Sequence, residues 1–257
     1  MEGTNPKSRN GKVYLVGAGP GDPKLITVYG FECIKKADVI LYDRLINKKL
    51  LEHAKEDVEF IYCGKVPGNH TVIQDEINRL LVEKALEGKM VTRLKGGDPC
   101  VFGRGGEEAK VLADVNIPFE IVPGITSGIA APAYAGIPVT HRDYATSFTM
   151  ITGTERADNG KSLVDWEALV RGSDTLAIYM GTRNLSYICS QLISHGKMST
   201  TLVAVIQEGT TAHQKTVTGT LATIEEIVME AKISHPAMII VGDVVKLRDK
   251  LDWFEVK

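Results

Sequence analysis

Three segments that contain glycine, called the glycine-rich segments below, have the residue types needed to bind a ligand through backbone groups. Residues 17–21 read GAGPG, residues 96–108 read GGDPCVFGRGGEE, and residues 123–127 read PGITS. Glycine has no Cβ, so such loops let a ligand approach backbone N–H and C=O groups closely. Asp43 lies between the first two segments, and its carboxylate can accept hydrogen bonds or act as a general base. These residues predict a ligand site with a carboxylate beside it.

A dinucleotide site is the obvious alternative, because a glycine loop followed by an acid about 20 residues later is the fingerprint of many dehydrogenases. Asp43 follows Gly21 by 22 residues. The pattern G-x-G-x-x-G would, however, need glycine where this chain has Asp22. A carboxylate at position 22 would repel a bound pyrophosphate, and Pro20 has no backbone N–H to donate to it. The sequence therefore disfavours a dehydrogenase, and the variety of residues in 96–108 disfavours a purely structural turn.

The elements that must position these residues alternate between strands and helices. Strands are predicted at residues 13–16, 39–42, 60–62, 90–94, 119–122, 148–152, 176–180, 202–206 and 238–241. Helices are predicted at residues 23–36, 74–86, 163–170, 185–195 and 224–231, with a further helix starting near residue 108. Each glycine-rich segment thus follows a strand. The alternation predicts two α/β domains with mixed, mainly parallel sheets and a ligand cleft between them.

The domain boundary is placed by a stretch of small residues. Residues 128–136 are rich in Ala and Gly with Pro132 among them, which suits close packing near a domain junction. We expect a disordered polar leader at 1–11, an N-terminal α/β domain with the glycine-rich loops at 12–122, and a C-terminal α/β domain at 123–257.

Composition narrows the possible functions. Hydrophobic residues make up 44% of the chain and charged residues 24%, and no run approaches the roughly 20 apolar residues of a membrane span. The four cysteines and six histidines are scattered without zinc-ligand spacing, so we expect no metal and a cytoplasmic location. The net charge of −2 gives no general attraction for nucleic acid. An anionic partner would need a local cluster of cations.

The three glycine-rich segments occur in order with residues 42–45 (YDRL), 141–145 (HRDYA) and 247–254 (LRDKLDWF). Together they resemble the tetrapyrrole methylases over about residues 12–254. The resemblance implies an enzyme that uses S-adenosylmethionine to methylate uroporphyrinogen III at C2 and C7. The product would be precorrin-2, formed through precorrin-1 for siroheme or cobalamin biosynthesis, with S-adenosylhomocysteine as by-product. A homodimer is also implied.

The resemblance assigns roles to individual residues. Asp43 matches the family's proton-accepting aspartate, and Lys65 matches its proton-donating lysine. The cofactor-binding positions are Pro20, Gly96, Gly97, Asp98, Val101, Thr126, Ser127, Met180 and Gly209. The tetrapyrrole carries many carboxylates, which favour contacts with cationic side chains. The residues expected to bind them are Arg44, Arg93, Lys95, Arg104, His141 and Arg142.

Two other functions remain open from the sequence. A relative acting on another corrin precursor, such as a precorrin-2 or precorrin-4 methyltransferase, would share the first glycine loop. Residues 140–145 and 247–254 favour uroporphyrinogen III. A non-catalytic ligand-binding module would keep the glycine loops without needing Asp43 or the cations, and turnover separates it from an enzyme.

Overall fold

The computed structural model describes residues 11–64, 74–153 and 164–254. The predicted leader therefore falls almost wholly outside the described residues, and so does Lys65. The chain forms two compact units, the first ending at Thr126 and the second beginning at Ser127. No helix in the described ranges is long and apolar enough to cross a membrane.

The first unit is built on a parallel five-stranded sheet. Its elements are β1 (Lys12–Gly17), α1 (Val28–Lys36), β2 (Val39–Tyr42), β3 (Glu59–Tyr62), α2 (Gln74–Leu86), β4 (Met90–Lys95), α3 (Gly105–Asp114) and β5 (Phe119–Val122). The strand order is β3-β2-β4-β1-β5, and every pairing is parallel. The carboxyl ends of all five strands therefore lie at one edge, where open α/β sheets bind ligands.

Both faces of this sheet are buried, which explains its nearly continuous apolar strands. On one face Val13, Leu15 and Leu41 pack with Leu81 of α2 and other residues of α2 and α3. The opposite face packs on α1. Because successive side chains alternate between faces, the register of each strand decides which residues meet which helices.

The second unit has a mixed sheet. Its elements are α4 (Ser127–Tyr134), β6 (Phe148–Thr152), α5 (Trp166–Gly172), β7 (Thr175–Tyr179), α6 (Leu185–Ser194), β8 (Leu202–Gln207), β9 (Lys215–Thr220), α7 (Ile224–Glu230), β10 (Ala237–Val241) and α8 (Arg248–Leu251). The order is β6-β7-β10-β8-β9, with only β6 and β7 parallel among these pairings. Of the eight strand pairings in the described part of the chain, five are parallel, which confirms the predicted mixed, mainly parallel α/β fold.

The helix predicted over residues 23–36 is wrong in its first part. A 3₁₀ turn at Pro23–Leu25 is followed by a break, and the α-helix begins only at Val28. The side chain of Asp22 accepts a hydrogen bond from Lys24 N, and Thr27 caps the second start by accepting one from Gly30 N. Two capping residues thus divide the segment.

The exposed side chain of Asp174 ties the starts of β6 and β7 together. The Oδ2 atom of Asp174 accepts hydrogen bonds from Thr146 N at 2.8 Å, Thr146 Oγ1 at 3.0 Å, Ser147 N at 2.9 Å and Ser147 Oγ at 3.0 Å. The backbone N–H of Thr146, then its hydroxyl and the Ser147 donors, lower the pKa of Asp174 to about 2.

Asp174→Asn is expected to destabilise the second unit at neutral pH, because a neutral amide is a weaker acceptor for four donors. The folded-state pKa lies below the ordinary value of 3.8, so the stabilisation is present above about pH 4 and is lost as pH falls toward 2. The thermal midpoints of wild type and variant are measured from pH 7 to pH 2. At pH 7 the midpoint of the variant should be lower by roughly 2–4 °C. The difference between variant and wild type should shrink in acid.

The exposed Asp249 on α8 gives the control, Asp249→Asn. Equal pH dependence of the Asp174 variant and this control would contradict the assignment.

Candidate functional site

Three glycines let the strand ends of the first unit meet backbone to backbone. A Cβ on Gly17 would lie 2.6 Å from the Cα of Gly124 and 2.7 Å from the carbonyl oxygen of Gly97. A Cβ on Gly124 would lie 2.2 Å from that same oxygen. Such distances exclude any side chain at either position. The loops after β1, β4 and β5 therefore form one packed surface at the sheet edge.

The first two loops are also hydrogen-bonded to each other. Gly19 N donates to Gly97 O at 3.2 Å, and Gly97 N donates to Gly19 O at 2.7 Å. Both residues have positive φ, +79° and +68°, a conformation that favours glycine. This pairing brings the first loop, which continues into Pro20, close in space to the second loop at Gly97.

Asp98 joins the second loop to the third. Its Oδ1 accepts hydrogen bonds from Cys100 N at 2.8 Å and Val101 N at 3.2 Å, while Oδ2 accepts one from Gly124 N at 3.0 Å. The carboxylate is thus engaged with backbone donors of the protein itself. Its direct contact with a cofactor stays a prediction, whereas its support of the loops is an observed interaction.

Asp43 lies at the same edge within a network of charges. Its Oδ1 accepts a hydrogen bond from Arg93 Nη2 at 2.7 Å, and its Oδ2 lies 4.0 Å from Lys95 Nζ. The Oε1 atom of Glu108 accepts hydrogen bonds from Arg93 Nε at 3.1 Å, Lys95 Nζ at 2.9 Å and Gln74 Nε2 at 3.1 Å. The Asp43 side chain is 31% exposed, whereas Arg93, Lys95 and Glu108 are 2%, 4% and 0% exposed. Asp43 is therefore the accessible member of a buried network.

Burial opposes the charge on both cations of this network. It lowers the pKa of Lys95, as does the neighbouring Arg93, while Glu108 and Asp43 act in the other direction. For Arg93 burial also favours the neutral form, but Asp43 and Glu108 outweigh it and the pKa is raised. The two carboxylates thus stabilise the buried positive charge.

This geometry changes the expectation for two of the predicted substrate-binding cations. Arg93 and Lys95 face the interior and pair with Glu108 and Asp43 instead of standing on the surface. Direct contact with substrate carboxylates therefore stays a prediction only for the more accessible residues. In the first unit these are Arg44, which is exposed, and Arg104, whose guanidinium pairs with Glu107 on the surface.

The second unit groups its predicted cofactor-binding residues around α4. The Tyr179 hydroxyl accepts a hydrogen bond from Gly128 N at 2.8 Å, directly after Ser127. A Cβ on Gly209 would lie 2.5 Å from the Cβ of Ala131, so only glycine allows this approach to α4. Met180 follows Tyr179 with φ of +54° and is 54% exposed. Thr126, which ends the first unit, is buried.

His141 and Arg142 lie in a tight loop of the second unit. His141 and Ala145 exchange backbone hydrogen bonds of 3.0 and 2.9 Å, and the Nδ1 atom of His141 accepts one from Asp143 N at 3.1 Å. Arg142 is exposed. Within the described ranges, no group of three or more His, Cys, Asp or Glu side chains could hold a metal ion.

Sequence reasoning missed one residue in each unit, Glu108 in the first and Tyr179 in the second. Glu108 was visible at the end of the glycine-rich string, but nothing there separates it from Glu107. Tyr179 appeared only as a strand residue. The helix dipole favours a carboxylate in the first turn of α3, but this signal applies to Glu107 as well as to Glu108.

The comparisons with known proteins place the chain among methyltransferases. The sequence matches the Tetrapyrrole (Corrin/Porphyrin) Methylases over residues 12–225. It is 64% identical to a uroporphyrinogen-III C-methyltransferase of Priestia megaterium, over 91% of this chain and 98% of the relative. Several other relatives are named siroheme synthase, and the chain spans about half of their length.

Solved structures agree in fold. A uroporphyrin-III C-methyltransferase of Thermus thermophilus complexed with S-adenosylhomocysteine superposes with a TM-score of 0.78 at 36% identity, covering 92% of this chain and 94% of that one. A cobalt precorrin-4 methyltransferase of cobalamin biosynthesis gives 0.81 at 29% identity, covering 95% and 99%. The fold is thus common to enzymes that differ in substrate.

Asp98→Ala is expected to lower the free energy of unfolding by about 2 kcal/mol, because three backbone N–H groups lose their acceptor. Chemical denaturation measures this change. Asp114→Ala is the matched control, since Asp114 is exposed and only pairs with Lys110 on the surface, a pairing worth little. If both variants are equally stable, the Asp98 carboxylate does not hold the loops together.

Proposed function

The chain belongs to the tetrapyrrole methylase family, and we propose that it transfers methyl groups from S-adenosylmethionine to carbon atoms of uroporphyrinogen III. The observation that carries the proposal is the similarity, over nearly its full length, to a relative named for that reaction. The packed glycine loops and the accessible carboxylate at one sheet edge support it. The proposed product is precorrin-2, methylated at C2 and C7 through precorrin-1, for siroheme or cobalamin biosynthesis.

The glycine loops fit a cofactor held largely by backbone groups. In the first unit the proposed contacts come from Pro20, Gly96, Gly97, Asp98, Val101 and Thr126, and in the second from Ser127, Met180 and Gly209. Exposed Met180 offers a polarisable side chain for an adenine face. When bound, the sulfonium supplies an electrophilic methyl group that a pyrrole carbon can attack.

Asp43 is proposed to hold and accept protons from the pyrrole N–H groups. Its Oδ1 atom is oriented by Arg93, and no described residue donates a hydrogen bond to its Oδ2 atom. An oriented carboxylate with one oxygen available suits both positioning and general-base work. The role of Lys65 as proton donor stays a prediction, because that residue lies outside the described part of the chain.

Accessible cations are proposed to bind the substrate carboxylates. Arg44 and Arg104 lie on loops of the first unit, and His141 and Arg142 lie on one loop of the second. Arginine can bind a carboxylate through two parallel hydrogen bonds, which fixes orientation as well as charge. The release of Arg104 from Glu107 costs little, because this ion pair is solvent-exposed.

A precorrin-4 methyltransferase is the second candidate, since such an enzyme shares the fold. The 64% identity to the Priestia megaterium relative favours uroporphyrinogen III. We further propose a homodimer acting in the cytoplasm, as the family resemblance implies.

The function is tested by incubating the protein with S-adenosylmethionine and enzymatically prepared uroporphyrinogen III, followed by mass analysis of the oxidised product. We expect the addition of two methyl groups. Methylation of a precorrin-4 preparation with none of uroporphyrinogen III would favour the second candidate. Binding of S-adenosylhomocysteine without any turnover would indicate a non-catalytic module.

Asp43→Asn is expected to lower methyl transfer by on the order of 100-fold, because the amide is no base and is a weaker acceptor for N–H groups. The affinity for S-adenosylhomocysteine, measured by calorimetry, should stay unchanged. Asp57→Asn, at an exposed turn of the same unit, should leave both quantities unchanged. Loss of cofactor affinity with intact tetrapyrrole binding would instead place Asp43 in the cofactor pocket.

A further inference from the structure

The carboxylate of Glu108 is a fully buried charge next to Asp43 and its partners. Its side chain is 0% exposed, and Oε1 accepts hydrogen bonds from three donors, Arg93 Nε, Lys95 Nζ and Gln74 Nε2. Its Oε2 atom has no hydrogen-bond partner in the described part of the chain. Burying a charged carboxylate is strongly unfavourable unless nearby charges and donors compensate for its lost hydration. The two cations beneath Asp43 provide that compensation.

The charges of the network sum to zero. Asp43 and Glu108 supply two negative charges, and Arg93 and Lys95 supply two positive charges. Of these four side chains, Asp43 is the one that reaches the surface. Glu108 is therefore the internal counterion, and without it Asp43 would be the single carboxylate paired with two cations. Cys63, at the end of β3, is also buried beside these charges, and burial raises the pKa of its thiol to about 11, which keeps it neutral.

The guanidinium of Arg93 is shared between the two carboxylates. Glu108 holds its Nε atom and Asp43 holds its Nη2 atom, while Nη1 is buried without a hydrogen-bond partner in the described residues. A guanidinium can bind a carboxylate through two parallel hydrogen bonds. Here Asp43 receives one, and its second oxygen stays 4.0 Å from Lys95 Nζ, beyond hydrogen-bond distance.

We propose that Glu108 is a positioning residue that draws Arg93 and Lys95 away from Asp43 and thereby leaves one Asp43 oxygen available to the substrate. Without the negative charge of Glu108, both cations close on Asp43. Arg93 gains a second hydrogen bond to that carboxylate and Lys95 moves within bonding distance. Asp43 is then held by the protein and accepts pyrrole N–H groups poorly. This inference rests on the proposed function of Asp43.

The test is Glu108→Gln, which keeps the side-chain shape and removes the charge. We expect kcat to fall by at least about 10-fold, because an interaction needed in the transition state is weakened. The KM for S-adenosylmethionine and the Kd for S-adenosylhomocysteine should stay within about 2-fold, because the glycine loops are unchanged. Asp114→Asn, an exposed carboxylate on the same helix α3, is the matched control and should keep wild-type kinetics.

A second variant separates this role from structural support. Lys95→Met combined with Glu108→Gln removes one positive and one negative charge, so that the network stays neutral and Lys95 can no longer occupy the second Asp43 oxygen. We expect kcat of the double variant to exceed that of Glu108→Gln by about 5-fold or more, a coupling that independent sites do not show. A purely structural role predicts instead that the second buried change lowers stability and activity further.

The outcomes are distinct from those of the proposed function. If the wild type does not methylate uroporphyrinogen III, the proposed function fails. If the wild type is active and Glu108→Gln keeps its kcat, or if the folded double variant is no more active than Glu108→Gln, the competition is refuted. If Glu108→Gln does not fold, the double variant is compared with wild type instead. A kcat within about 5-fold of the wild-type value supports the proposal, and a double variant that folds but is inactive overturns it.

Discussion

The contact of three glycine backbones at the end of a parallel sheet is the constraint on which the rest of the site depends. Neighbouring strands are about 4.8 Å apart, so loops leaving β4, β1 and β5 crowd one another. They pack only because Gly17 and Gly124 have no side chains, while Gly97 has a positive φ that favours glycine. Asp98 then bonds the backbone of two of these loops. These loops are therefore a packed and hydrogen-bonded extension of the sheet.

The same sheet places the charges. Strand β2 lies beside β4, with Leu41 opposite Arg93, so the chain emerging from β2 carries Asp43 past the two cations of β4. Leu41 packs into the cluster that includes Leu112 of α3. Arg93 shares that face and reaches Glu108 on the same helix. A slip of one residue in this register would turn Arg93 to the opposite face, and Asp43 would lose its partner.

Much of this architecture could be predicted from the sequence, because the pattern of apolar residues is strong where an element is buried. Helix Gln74–Leu86 and the strand Phe119–Val122 have the predicted bounds. The strand Lys215–Thr220 was missed, because it is an edge strand with little buried surface and a threonine-rich sequence. This strand is stabilised by its pairing with β8. Such pairing depends on tertiary context, which the local sequence pattern does not contain.

The site shows the same division between local and tertiary information. Glycines in the loops that follow strands, and an aspartate at the end of a strand, can be recognised in the sequence, and both were predicted. The adjacent residues Glu107 and Glu108 are not distinguishable in that way, since about 100° of helix rotation separates them. One pairs with Arg104 on the surface, and the other is buried beneath Asp43. Which carboxylate balances a buried cation is decided by how α3 packs on the sheet, so charge balance at this site emerges only with the tertiary fold.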